Sequence, residues 1–271
     1  MSKIIIDADK KGIGLNLKEI YQYKDLFFIL AYRDLKVRYA QTFLGLLWAV
    51  IQPLTTLIIF VLIFGKAVKV NTGAVPYSLF ALTGMTAWSY FSFVMSQAGG
   101  SIIEAEGMVK KIYFPRLIIP LSKAVVGFVD FGVSFLFLII FMLFYRFVLP
   151  IQIFLLPVFI FLTVLSGLAI GIWLSALTIR FRDFKHVVPF LVQIGLYATP
   201  IAYPASLIPE KYLWLYYLNP MAGVTEGFRW CILGTQAPHA YVYYSFVMVL
   251  ILFVAGLFYF KKVEKVIADI V

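Results

Sequence analysis

A single cysteine, Cys231, and two histidines, His186 and His239, stand in 271 residues. One thiol leaves no partner for a disulfide frame, and so few imidazoles argue against a metal centre. Charge is scarce as well: Asp, Glu, Lys and Arg make up 13% of the chain, whereas 63% is hydrophobic. That little polar surface cannot clothe a soluble globule, so the chain reads as an all-α integral membrane protein. The excess of Lys and Arg is then an orientation signal and not a mark of nucleic-acid binding. No phosphate-cradling G-x-x-x-x-G-K-[ST] occurs, because Gly65-Lys66 is followed by Ala67 and position 60 is not glycine. There is no H-E-x-x-H, no clustered Asp motif for lipid-phosphate chemistry and no nucleophile elbow, so the chain is not expected to be an enzyme or to carry a cofactor of its own. The opening MSKIIIDADKKGIG mixes acids with lysines and has no apolar core, so it does not read as a cleaved signal peptide.

Six apolar segments are present, at 43–65, 77–98, 117–145, 151–179, 187–203 and 241–260. Each approaches the roughly 20 residues needed to cross a hydrocarbon core of about 30 Å, and together they form a single transmembrane domain over 1–271. Residues 1–15 are polar and are expected to be loosely ordered. Ahead of the first span, Asn16 to Arg38 places Leu17, Ile20, Phe27, Phe28, Ala31 and Leu35 near helical spacing, with Lys18, Lys24, Arg33, Lys36 and Arg38 between them. This predicts a basic amphipathic helix lying in the membrane interface.

Polar residues inside the spans point to faces that avoid lipid. Gln52, Pro53, Thr55 and Thr56 fall near the middle of the first span, and the second is rich in Thr83, Ser89, Tyr90, Ser92, Ser96 and Gln97. Such groups need protein or water to satisfy them. Asp130 lies mid-depth in the third span, the only acid so placed, and is expected to be protonated, paired inside the bundle or wet; Lys123 is its nearest candidate partner in sequence, and snorkelling of the lysine to the interface is the other reading of that residue. A proton-coupled carrier would show more such acids, so energy is expected to enter from outside the chain. Gly167 and Gly171, four apart, allow a close helix approach.

Between the second and third spans, residues 101–116 (SIIEAEGMVKKIYFPR) form a charged island closed by prolines at 115 and 120. It reads as a short helix tied to two spans, which something in the aqueous phase can push; an ordinary polar loop is the other reading. The stretch 204–238 is too apolar for an open loop and too interrupted for a span. Two short helical pieces broken at Asn219-Pro220 and packed back into the membrane edge satisfy both facts, with Trp214, Tyr216, Tyr217 and Trp230 at interfacial depth. Glu226 and Arg229, three apart, are expected to pair. With the N-terminus inside, 18 Lys and Arg fall on the inner side against 5 outside (Lys66, Lys69, Arg146, Lys211 and Arg229). This asymmetry places both termini and the charged island in the cytoplasm.

Three motifs in order, YRDLKVRYAQTFLGLLWAVIQPL, EGMVKKIYFPRLIIP and LNPMAGVTEGFR, resemble the membrane subunit of bacterial type-2 ABC exporters, in the branch that exports polysaccharides such as O-antigen, teichoic acid and capsule. The resemblance implies a homodimer in the bacterial inner membrane, partnered by two copies of a separate ATPase that binds ATP and Mg. It also implies that the island is a coupling helix, with Glu104, Glu106, Met108, Lys110, Lys111 and Tyr113 meeting the ATPase. By the same resemblance Arg33, Lys36 and Arg38 belong to an interface helix. Tyr212, Trp214, Asn219, Pro220, Glu226 and Arg229 would belong to gate helices on the outer side. A lipid-linked glycan needs a wet path, because each hydroxyl is costly to strip of water, and aromatic faces and amides let sugars slide. The expected lining is Tyr39, Phe43, Trp48, Gln52, Trp88, Tyr90, Gln193, Tyr197 and Tyr203. The competing readings are a secondary carrier for a smaller polar solute and a non-transporting scaffold for glycan assembly.

Overall fold

The computed structural model describes residues 17–39, 47–181 and 183–264. The expectations for residues 1–15 and for Phe43 lie outside these. Among the described residues there is no strand. Eleven α-helices are present: α1 (Leu17–Gln22), α2 (Lys24–Tyr39), α3 (Trp48–Phe60), α4 (Tyr77–Glu104), α5 (Glu106–Val109), α6 (Ile118–Phe144), α7 (Leu156–Arg180), α8 (Phe184–Ala198), α9 (Glu210–Tyr216), α10 (Pro220–Leu233) and α11 (Val242–Glu264). A π-helical stretch, Val61–Ala67, prolongs α3, and a 3-10 turn, Ile151–Leu155, leads into α7.

Four helical stretches among the described residues are long and apolar enough to cross a membrane: Val50–Ala67, Ile118–Phe144, Ile151–Arg180 and Val242–Glu264. The sequence predicts six. The two that fall short do so for different reasons. Helix α4 has 28 residues, about 42 Å at helical rise, but carries many Ser, Thr and Gly. It is the central helix, packed by α6, α7, α8 and α10. A surface that meets other helices need not be as apolar as one that meets lipid. Helix α8 has only 15 residues, about 22 Å. It starts at Phe184 and ends at Ala198, not at the predicted 187 and 203, because Thr199 turns extended ahead of Pro200.

The α4–α7 contact is the most extensive in the bundle, and a glycine pair lies in it. A Cβ on Gly167 would stand 2.8 Å from Val94, and one on Gly171 would stand 2.7 Å from the Ala98 Cβ. Both glycines therefore lie where α4 touches α7. On another face α7 is held to α11 by the Trp173 indole, which donates to the Leu252 carbonyl at 2.9 Å and stacks on Tyr259.

Other boundaries move. The predicted island is not one helix: Ser101 to Glu104 are the last turn of α4, Ala105 breaks the geometry, and only Glu106–Val109 forms a separate turn. The predicted interface helix breaks at Tyr23, and of its expected apolar face Ile20, Phe27, Ala31 and Leu35 are buried or half-buried. Leu26, Phe27, Leu30, Ala31 and Asp34 face the bundle, whereas Phe28 is 61% exposed. The break at Asn219-Pro220 is observed as expected: Pro220 opens α10, where its missing N–H is harmless, and the Asn219 side chain accepts from Met221 N. Gly234, in the left-handed region at φ 60°, ends that helix.

Candidate functional site

A cavity of about 580 Å³ opens between the end of α2, α3, α4, α6 and α8. Its back wall is one face of α4. Met85, Trp88, Ser92 and Ser96, with Ser89, Phe93 and Gln97 alongside, recur at three- and four-residue steps, which at 3.6 residues per turn forms a single stripe. The Ser89 and Ser92 hydroxyls satisfy themselves on the Thr86 and Ser89 carbonyls, so each presents its lone pairs to the cavity. Facing them are Trp48, Gln52 and Thr56 of α3 and Gln193 of α8. The Trp88 indole fits because α8 has no side chain opposite it: a Cβ on Gly195 would stand 2.5 Å from the ring. Hydroxyls, amides and indole faces make a lining that trades hydrogen bonds with a polar solute and offers apolar faces to C–H surfaces.

Of the expected lining residues, Tyr39, Trp48, Gln52, Trp88 and Gln193 are brought together here. Three are not. Tyr90 is buried on the other side of α4, where its hydroxyl donates to the Ala124 carbonyl between Phe128 and Phe131. Tyr197 points away on the outer face of α8, 59% exposed, and Tyr203 donates to the Tyr197 carbonyl. The reason is phase. Tyr90 lies two residues from both Trp88 and Ser92 on α4, about 160° round the helix from each, which turns it out of the stripe. The serine and glutamine stripe itself was missed as a lining, although its spacing is visible in the sequence.

One end of the cavity carries charge. Arg38 Nη2 lies 2.6 Å from Asp130 Oδ2, and the Tyr39 hydroxyl donates to the other oxygen of that carboxylate. The Arg38 guanidinium also lies 4.6 Å from the centre of the Phe93 ring. Burial and the Asp130 acceptor push the Tyr39 phenol up to about 12, so it remains a donor at neutral pH. The expected partner Lys123 is not there. It lies instead 2.9 Å from Asp34 on α2 and 3.5 Å from Glu104 at the end of α4. Seven residues are two helical turns, about 10 Å, which separates Lys123 from Asp130 along α6. Arg38, assigned from sequence to the interface helix alone, is thus also part of the cavity.

The segment after α4 presents its charges outward. Glu104, Lys110, Lys111 and Tyr113 are exposed, with Glu106 and Met108 half-buried. Lys110 pairs with Glu106 at 2.6 Å along the turn, a surface pair of little energetic weight. Val109 and Phe114 are buried and anchor the turn. Its exit is clasped to α11: Glu264 accepts from Arg116 N at 3.0 Å, and the Glu264 carbonyl accepts from the Arg116 guanidinium at 2.7 Å. Lys36 on α2 is exposed, whereas Arg33 holds Asp34 at 2.7 Å.

In the broken segment, Tyr212 and Trp214 are exposed on α9, and Asn219 reaches back to Thr199 Oγ1 at 3.0 Å. The expected Glu226–Arg229 pair does not form. Glu226 accepts from the Tyr217 hydroxyl, while Arg229 donates to the Phe80 and Ile201 carbonyls and stacks at 3.5 Å on the Phe80 ring. Three residues along α10 the two side chains meet different neighbours, so each is satisfied separately.

Residues 25–233 match the ABC-2 type transporter family. The chain is 29% identical over 248 residues to an O-antigen export system permease protein of Klebsiella pneumoniae, covering 91% of this chain and 95% of that one. It is 27% identical over 226 residues to the protein of the same description from Myxococcus xanthus, covering 83% and 86%. A polysialic acid transport protein of Escherichia coli is 23% identical over 196 residues, covering 72% and 76%. With several helices apolar enough to span a bilayer, this is a multi-pass membrane protein. The chain belongs to the ABC-2 type transporter family, as the resemblance carried by its three motifs implied.

Proposed function

We propose that the chain is the channel-forming permease subunit of an ATP-driven exporter that moves a lipid-linked, O-antigen-like polysaccharide across the bacterial inner membrane. The observation that carries this reading is the cavity: a continuous stripe of hydroxyls, amides and indoles enclosed by helices that are otherwise apolar. A lipid-facing helix has no use for such a stripe, and a hydroxyl-rich solute does. The relatives described as O-antigen and polysialic acid transport components agree with that substrate class.

In this reading α4 and α8 complete six crossings, both termini face the cytoplasm, and α9 with α10 form a gate on the outer side. Two copies of the chain assemble with two copies of an ATPase that holds ATP and Mg. The exposed turn around Glu104, Glu106, Met108, Lys110, Lys111 and Tyr113 docks into that partner. Only a contact that differs between nucleotide states can do work on the turn. The test is reconstitution in vesicles with and without the ATPase. Glycan movement is expected only with both proteins and ATP. Movement driven by an ion gradient in the absence of the ATPase, or no nucleotide-stimulated flux at all, would overturn the reading.

A further inference from the structure

Lys123 takes no part in the cavity, and its side chain is only 8% exposed. Its ammonium is shared by two carboxylates on two different helices. Asp34 Oδ2 of α2 lies at 2.9 Å and Glu104 Oε2 at 3.5 Å. Arg33 reaches the other Asp34 oxygen at 2.7 Å, so Asp34 keeps a partner whatever Lys123 does. Glu104, by contrast, is the last residue of α4 and opens directly onto the exposed turn. Asp34 stands one helical turn before Arg38, which with Tyr39 grips Asp130 at the charged end of the cavity. A buried ammonium cannot lose both acceptors without a heavy desolvation penalty, so a displacement of Glu104 must redistribute what Lys123 gives to Asp34.

We propose that Lys123 is a positioning residue that ties the exposed turn to α2, and through Arg38 and Tyr39 to the Asp130 end of the cavity. Moving the turn then loosens or tightens that end. The link rests on the permease reading for the partner that moves the turn, but not for its own existence. Two unconnected carboxylates would not need a common ammonium. The route is short and contiguous: turn, Glu104, Lys123, Asp34, one turn of α2, Arg38, Asp130.

The experiment uses the isolated chain first. A Cys231→Ala background carries Ser96→Cys in the cavity, and a membrane-impermeant thiol reagent is added from the side on which a cysteine at position 111 reacts. Lys123→Gln is expected to raise the reaction rate at position 96 about fivefold or more, the lower end of measured couplings between sites. Lys123→Arg, which keeps the charge, is expected to restore the parent rate, and Lys262→Gln, which removes an exposed charge from the tip of α11, to leave it unchanged. A rate in Lys123→Gln within about twofold of the parent, smaller than any such coupling, overturns the link. Where Lys123→Gln fails to accumulate in the membrane, Glu104→Gln takes its place: it leaves the ammonium to Asp34 alone and is expected to lower the rate about fivefold or more, with a change within about twofold again overturning the link. In the reconstituted complex, Lys123→Gln is expected to keep ATP hydrolysis while export per ATP falls. A parallel fall of both overturns the proposal. A wild-type complex without nucleotide-stimulated export removes the permease reading instead, and the thiol rates still decide the link.

Discussion

Gly195 has no side chain because the Trp88 indole occupies the space where one would be, with its ring 2.5 Å from the position of a Cβ. The nearest atoms belong to an aromatic ring at the cavity wall, so a larger residue does not merely crowd a core. It tilts the indole into the passage. Gly195→Val is expected to leave the chain in the membrane, to slow thiol labelling of a cysteine at Gln52, and to reduce export; labelling at the parent rate would show that Trp88 does not border the open space. Asp34 gives a second expectation at this scale. Burial raises its pKa, but the adjacent Lys123 and Arg33 cations outweigh this and hold it below the ordinary 3.8. A carboxyl lowered in the folded state contributes stability above its unfolded value and loses it as pH falls through the folded one. The α2–α6 clasp should therefore hold steady from pH 5 to pH 8 and loosen only in stronger acid. Asp34→Asn should abolish that acid sensitivity, as read by protease cleavage between α2 and α3 over a pH series.

Helices contact one another here through missing side chains as much as through present ones. Gly171 lets α7 lie against α4 with the Ala98 Cβ at 2.7 Å and the Met95 carbonyl at 3.2 Å from where its own Cβ would be. Gly132 on α6 has nothing within 4 Å of the same position. Gly171→Leu should lower stability by about 3 kcal/mol or more, since backbone on the facing helix cannot yield as a flexible side chain can. Gly132→Ala should raise stability by about 0.5–1 kcal/mol through helix propensity alone. Thermal unfolding of the two variants in the same detergent checks both, and a neutral Gly171→Leu would mean that α4 and α7 separate more easily than their packing indicates. Much of this layer was legible in the sequence. The glycine pair, the break at Asn219-Pro220 and the long apolar helices are local patterns, and local patterns survive folding. The pairing of charges was not legible. Sequence proximity suggested Lys123 for Asp130 and Glu226 for Arg229, whereas Arg38 comes from 92 residues away and Arg229 turns to backbone carbonyls on other elements. The lining was half legible, because the serine stripe on α4 has helical phase, whereas residue type alone does not tell which face Tyr90 and Tyr197 occupy.

At the scale of the molecule the cavity is one-sided. Its rim is made by α3 and α8, two helices with little cover: α8 buries only Val188, and α3 buries Leu57 and Phe60. Both expose long apolar side chains, among them Ile58 and Ile59 on α3 and Phe190 and Ile194 on α8. Lipid can solvate those, but it cannot satisfy the amide groups of Gln52, which is exposed on α3 beside them. A second copy laid across α3 and α8 would bury these polar groups and turn two half-cavities into one enclosed passage, which is the homodimer proposed above. A two-fold arrangement brings the same residue of each copy near the axis. Single cysteines at Phe190 and Ile194 are therefore expected to form intermolecular disulfides in native membranes under mild oxidation. Cysteines at Leu250 and Val254, exposed on α11 on the far side of α7, are expected to stay monomeric. Cross-links on α11 without cross-links on α8 would place the contact between copies elsewhere and leave the passage without its second wall.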